Sequence, residues 1–197
     1  MLHTALRVAR TALRAVPDGS ATTGTGKAES MDQYPGSPTR IAVIGIGNDH
    51  RRDDGVGWVV AAELAGRRLP HGVTVFRTDG EPTRLISAWE GAQRAIVVDA
   101  ARSHPSRPGR IHRLRLPEEL PSGPFHGTSS HGFALEHAVE LAHVLGRLPG
   151  ELVVYAVEAA NTGPGTALSP AVAAAVHPLV ARIERDLAAR RGPDTGG

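Results

Sequence analysis

Four short aliphatic runs, separated by stretches of helical periodicity, restrict this sequence to very few architectures. Ile41-Ala42-Val43-Ile44 ends in Gly45, and similar runs fall at Val73 to Phe76, Ala95 to Val98 and Leu152 to Val157. The first run has the pattern of a buried strand, and the others read as further strands. After the first, Val56, Val59, Val60 and Leu64 fall on one face of a helix; Gly66 stands near its end, and Arg67 and Arg68 complement its C-terminal dipole. Pro82 to Trp89 reads as a second helix, with Pro82 suited to the first turn. Ser129 and Ser130 can cap a helix from His131 to about Leu145, whose apolar stripe is Leu135, Ala138, Ala142 and Leu145. Ser169-Pro170 signals the start of a last helix, which Pro178 should kink. Strands alternating with helices predict an α/β fold, a three-layer αβα sandwich around a mainly parallel, twisted sheet. Arg110 to Leu116 alternates like one more strand. Its connection from Asp99 is too short for a helical crossover and contains Pro105 and Pro108, so an antiparallel edge strand is expected.

The 197 residues suit one domain with appendages. Residues 1–38 read as a flexible leader, because Pro17 to Pro38 is too rich in Gly, Ser, Thr, Ala and Pro to repay ordering. The domain is expected over 39–190 and a disordered tail over 191–197. Met31, just before the first strand, is a candidate start for the working protein. Leu2 to Val16 lacks the continuous apolar stretch of a secretion signal, and no run approaches a membrane span, so the cytoplasm is the default compartment. Aromatics make up only 4% of residues, which leaves no stacking platforms for single-stranded nucleic acid. The net charge of +2 is small and interleaved, so no nucleic-acid partner is expected. The chain has no cysteine, so disulfides and thiol catalysis are excluded, and a metal site must use His and carboxylates.

In a parallel sheet, ligands bind beyond the carboxyl ends of the strands. The residues following the runs are therefore the ones to inspect. Gly45-Ile46-Gly47-Asn48 and Asp53-Asp54-Gly55 follow the first, Asp79-Gly80-Glu81 the second, Asp99 closes the third, and Glu158 follows the strand through Tyr155. His131 opens a helix that can begin at the same edge. Acids gathered without a lysine repel one another unless protons, water or a cation intervene. Two carboxylates with an imidazole suit zinc, nickel, iron or manganese. Plainer roles compete: Asp53 as a cap for the helix after it, Asp99 or Asp79-Gly80 as a turn, His131 as a surface residue. The other nine histidines, His126, His137 and His143 among them, show no metal spacing and read as solvent-facing. A dinucleotide loop is disfavoured, since His50 stands where a third glycine belongs and Asp49, Asp53 and Asp54 would repel a pyrophosphate.

These residues resemble the hydrogenase maturation proteases. The resemblance is carried by Ile41 to Asn48, then Asp53-Asp54-Gly55-Val56-Gly57, Asp79-Gly80, Ile96-Val97-Val98-Asp99-Ala100, Ser129-Ser130-His131-Gly132 and Leu168-Ser169-Pro170. It implies an endopeptidase that removes the C-terminal extension of a nickel–iron hydrogenase large-subunit precursor after nickel insertion. It implies recognition of that nickel through Asp54, Asp99 and His131, which are then both the catalytic and the metal-contacting residues. Gly47, Asn48, Asp79, Gly80, Glu81 and Glu158 are the expected substrate-binding positions. The nickel arrives with the substrate, so the free enzyme need hold none. The chain departs from the family in the charged loop Asp49-His50-Arg51-Arg52 and in Asp79-Gly80-Glu81-Pro82, where a second glycine is usual. Competing functions are a metal-dependent hydrolase of a small substrate and a maturation protein that docks a nickel-loaded partner without cutting. A nucleotide-binding module is the weakest alternative, with Arg84 its only nearby phosphate donor.

Overall fold

The computed structural model describes residues 40–116 and 132–188. The expected leader, the tail, and Ser129, Ser130 and His131 lie outside them. The strands are β1 (Ile41–Ile46), β2 (Val73–Thr78), β3 (Arg94–Ala101), β4 (Ile111–Leu116) and β5 (Glu151–Glu158). They form one sheet in the order β2-β1-β3-β5-β4. β1 is parallel to β2 and β3, and β3 to β5, while β4 runs antiparallel to β5 with Ile111 opposite Val157. The parallel sheet and its antiparallel edge are as the sequence predicts.

The described residues hold four helices, α1 (Val56–Ala65), α2 (Pro82–Trp89), α3 (Gly132–Val144) and α4 (Pro170–Ala188). A 3₁₀ turn, Arg52–Gly55, leads into α1. Strand alternation divides the core. Val43, Ile96, Val98, Val153 and Tyr155 pack with the buried stripes of α1 and α4. Ile44, Val97 and Val154 pack with Leu85, Ile86 and Trp89 of α2 and with Ala138 and Ala142 of α3. This is the three-layer αβα arrangement.

Several boundaries differ from expectation. β3 continues past Asp99 to Ala101, because Asp99 keeps a partner in Ala156 and Ala101 keeps one in Glu158. Glu158 is therefore the last residue of β5, not a residue after it. Val59 is 42% exposed, since α1 meets the sheet along Val56, Val60 and Leu64 and Val59 lies off that stripe. Leu145 falls beyond the end of α3 and is exposed. Pro178 lies inside α4 without ending it.

The α1 layer sits close to the sheet because two glycines meet there. A Cβ on Gly57 would lie 2.2 Å from the Ile46 carbonyl oxygen and 2.5 Å from that of Val98, and one on Gly45 would lie 2.1 Å from the Gly57 carbonyl. Backbone rests on backbone, with no flexible side chain to yield. Trp58 reinforces the seam by donating its indole N–H to the Thr78 carbonyl at 2.8 Å. Gly57→Ala is expected to lower the unfolding free energy by about 3 kcal/mol, the upper end of overpacking costs. A urea melt with an unchanged midpoint would contradict this packing.

Candidate functional site

Because β1, β2, β3 and β5 are parallel, their carboxyl ends share one edge. The loop after β1 is laid across it by backbone bonds. The Gly47 N–H donates to the Thr78 carbonyl at 3.1 Å and the Asn48 N–H to the Asp54 carbonyl at 3.3 Å. Only glycine fits at position 47, where a Cβ would be 2.3 Å from the Asp54 carbonyl oxygen. Gly47, Asn48, Asp54 and the Asp79-Gly80 turn after β2 are thereby neighbours.

Asp54 is 1% exposed and sits in the turn that feeds α1, where the helix dipole favours an anion. Arg51 Nε lies 3.8 Å from its Oδ2. Asp99 is 5% exposed, and its Oδ1 accepts the Ala100 N–H at 2.7 Å. It shares a strand face with Ala95 and Val97, which places it toward α2 and α3. The close approach of Gly57 to Val98 sets the turn bearing Asp54 against the end of β3 that bears Asp99. His131 lies outside the described residues. Gly132, the residue after it, opens α3, and the short connection from α3 to β5 puts that opening at the carboxyl edge. Among the described residues no three His, Asp or Glu side chains form a metal cluster, and the expected trio has only two members there.

Asp53 has a different role from the expected one. It makes no cap for α1. It is fully buried, and its Oδ2 accepts the Ala160 and Asn161 N–H groups at 2.9 and 2.8 Å while Oδ1 accepts the Ser169 N–H at 2.6 Å. Its own N–H donates to the Asn161 carbonyl at 3.1 Å. One carboxylate thus clamps the loop between β5 and α4 onto the turn that carries Asp54. Nothing in the local sequence signals this, because the partners are more than a hundred residues away.

The remaining expected site residues fall into two groups. Asp79 is half exposed; its Oδ2 pairs with Arg84 at 2.8 Å and its Oδ1 accepts the Glu81 N–H at 3.3 Å. Burial would push its carboxyl up, but the Glu81 N–H and the Arg84 guanidinium outweigh it and hold the carboxyl below the usual aspartate value. Arg84, the phosphate donor that the sequence offered for a nucleotide reading, is therefore engaged. Glu81 caps α2, accepting the Thr83 hydroxyl at 2.6 Å and the Thr83 and Arg84 N–H groups at 3.1 and 3.0 Å. The Thr83 hydroxyl leads the interactions that lower its carboxyl.

Glu158, 2% exposed, turns to the loop after β3. It accepts the Ser103 hydroxyl at 2.5 Å and the Arg107 N–H, and its Oε1 lies 2.6 Å from His112 Nε2. His112 is thus half-buried and bonded, contrary to its expected solvent-facing role. Its position at the start of an alternating edge strand was the available signal. Burial alone would raise the Glu158 carboxyl, yet the Ser103, Arg107 and His112 bonds leave it below the ordinary glutamate value.

These features define a class: a three-layer α/β protein with buried acids gathered at its strand ends. The family model for hydrogenase maturation protease matches residues 59–186. The chain belongs to the hydrogenase maturation protease family, a family of peptidases. That match takes in Asp99 and His131 and begins after Asp54. The chain is 36% identical over 120 residues to the hydrogenase expression/formation protein HupD of Bradyrhizobium diazoefficiens, covering 58% of this chain and 60% of that protein. It is 28% identical over 153 residues to the hydrogenase 2 maturation protease of Escherichia coli, covering 77% and 91%. The structure of the E. coli hydrogenase maturating endopeptidase HybD superposes with a TM-score of 0.66 at 27% identity, covering 76% of this chain and 93% of that one.

Two outcomes test the rim. Asp53→Asn puts an amide N–H₂ among three backbone donors and should lower the unfolding free energy by about 2–3 kcal/mol; equal denaturation midpoints would contradict the clamp. The Glu158 carboxyl titrates lower in the folded state than unfolded. Its stabilisation is therefore present above the unfolded value of about 4.3 and lost as pH falls toward the lower folded value. Glu158→Gln should flatten that part of the acid stability profile, measured by denaturant melts at stepped pH; parallel profiles would contradict it.

Proposed function

We propose that this protein removes the C-terminal extension from the large-subunit precursor of a nickel–iron hydrogenase after nickel insertion, meeting the ion through Asp54, Asp99 and His131. The observation that carries this reading is the pair of buried carboxylates, Asp54 and Asp99, set on adjoining elements at the carboxyl edge of a family member's sheet. Two desolvated carboxylates are stabilised by a cation, and carboxylate with imidazole suits a borderline metal. The nickel is part of the substrate and would polarise the scissile carbonyl. The residues of this chain bind and orient it. Gly47 and Asn48, with Asp79 and Gly80, border the substrate peptide. Glu81 and Glu158 act on it through the α2 start and the 102–110 loop that they hold.

Water is the proposed nucleophile. Ser103, the hydroxyl nearest the end of β3, is bonded to Glu158. Asp54 or Asp99 would take the proton from that water only at a moment when it is not ligating the ion. The reaction is assigned to the cytoplasm, and among the described residues no helix is long and apolar enough to cross a membrane.

The test mixes the full-length protein with a nickel-loaded precursor and follows the precursor's intact mass. Loss of the C-terminal extension is expected. Asp54→Asn, Asp99→Asn and His131→Ala should each slow cleavage by about 100-fold or more, the scale of a lost acid–base group. A stable complex with the precursor mass unchanged would mean docking without cutting, and would overturn the peptidase reading.

A further inference from the structure

The same edge carries a second charged feature on the side of α1 and α4. Arg51 and Arg52 lie in the loop after β1, and Arg102, Arg107 and Arg110 in the loop after β3; all five are exposed. The loop after β5, residues 159–169, runs between them. The Arg52 N–H donates to the Gly165 carbonyl at 2.7 Å, Arg52 Nε to the Pro164 carbonyl at 3.0 Å, and Arg51 bridges to Gly165. On the other flank the Arg102 guanidinium donates to the Thr162 hydroxyl and Ser106 Oγ reaches the Ala159 carbonyl at 3.5 Å. Three loops thus join into one arginine strip beside the acidic centre.

Segments 100–110 and 159–169 contain no acidic residue, and in the loop after β1 the exposed Asp49 lies 3.6 Å from His50 while Arg51 lies 3.8 Å from Asp54. The buried acids beneath, Asp53 and Glu158, are taken up by hydrogen bonds from their own loops. Arg107 and Arg110 have no ion pair among the described residues. Arg52 has φ of 48°, the only non-glycine residue in the left-handed region among those described. Such a backbone is strained for a residue of this kind, and here it is held by the two bonds to Pro164 and Gly165.

We infer that this strip docks an acidic segment of the precursor next to the bond to be cut. The inference rests on the peptidase reading above. Guanidinium forks pair bidentately with carboxylates, and rim charges of this type set association more than chemistry. A nucleic-acid partner is disfavoured because no Phe, Tyr or Trp stands among its loops to stack on bases.

The test uses the double variant Arg107→Glu with Arg110→Glu, both outside the proposed catalytic machinery. With thermal stability unchanged, its KM for the nickel-loaded precursor should rise about tenfold at low salt while kcat holds. The wild-type KM should climb with added NaCl, and the variant's should not. Labelled poly-glutamate should bind the wild type, by fluorescence anisotropy, and not the variant. Equal KM, salt response and poly-glutamate binding in both proteins would overturn the inference. Duplex DNA binding that the variant loses, with KM unmoved, would reassign the strip to nucleic acid. A wild type that leaves the precursor intact would overturn the peptidase reading. The poly-glutamate arm then still decides the strip's preference for acidic peptide.

Discussion

A single buried carboxylate holds the working edge of this protein together. Asp53 collects three backbone N–H groups from the loop after β5, and through its own N–H it returns a fourth bond. A polar group with no exposed surface is costly unless its lone pairs are filled, and here they are filled by main chain that would otherwise need partners of its own. The same bonds bring the first and last segments of the sheet's edge together across the top of β3. Asp54 follows in sequence, so its position is inherited from that clamp.

The four buried acids described at the edge divide by what they face. Asp53 and Glu158 satisfy the protein's own loops, one between β5 and α4, the other between β3 and β4. Asp54 and Asp99 stand on a turn and a strand pressed together by the contact of Gly57 with Val98. Sheet topology explains why they share an edge, and helix–strand packing at the glycines explains why the elements that carry them adjoin. The rim also carries charge in the loop after β1: Arg51 and Arg52 meet the 159–169 loop, so a stretch that reads as local in sequence becomes part of a surface built from three loops.

Much of the architecture was legible in advance. The apolar runs at residues 41–44, 95–98 and 152–157 are buried strands and the run at 73–76 a half-buried edge strand, and the short proline-bearing link after Asp99 leads to an antiparallel edge strand, which pairs with β5. Once the sheet is parallel, the acids at the strand ends must meet at one edge. Sequence determined that much because strand period, crossover length and edge polarity are properties of contiguous residues. It also misjudged details that depend on a neighbour in space: β3 extends to Ala101 because β5 offers it a partner, and Val59 is exposed because α1 is rotated to seat Gly57.

Only the tertiary structure decided which acid does what. Asp53 and Asp54 are adjacent and chemically identical, and no local rule separates a clamp from a candidate ligand. The separation comes from Ala160, Asn161 and Ser169, brought by the fold to one of the two carboxylates. The same holds for His112 and Glu158, which are 46 residues apart and become a pair only because β4 turns back along β5. Long-range hydrogen bonds assign these roles, and their partners are set by chain topology, which the residues themselves do not display.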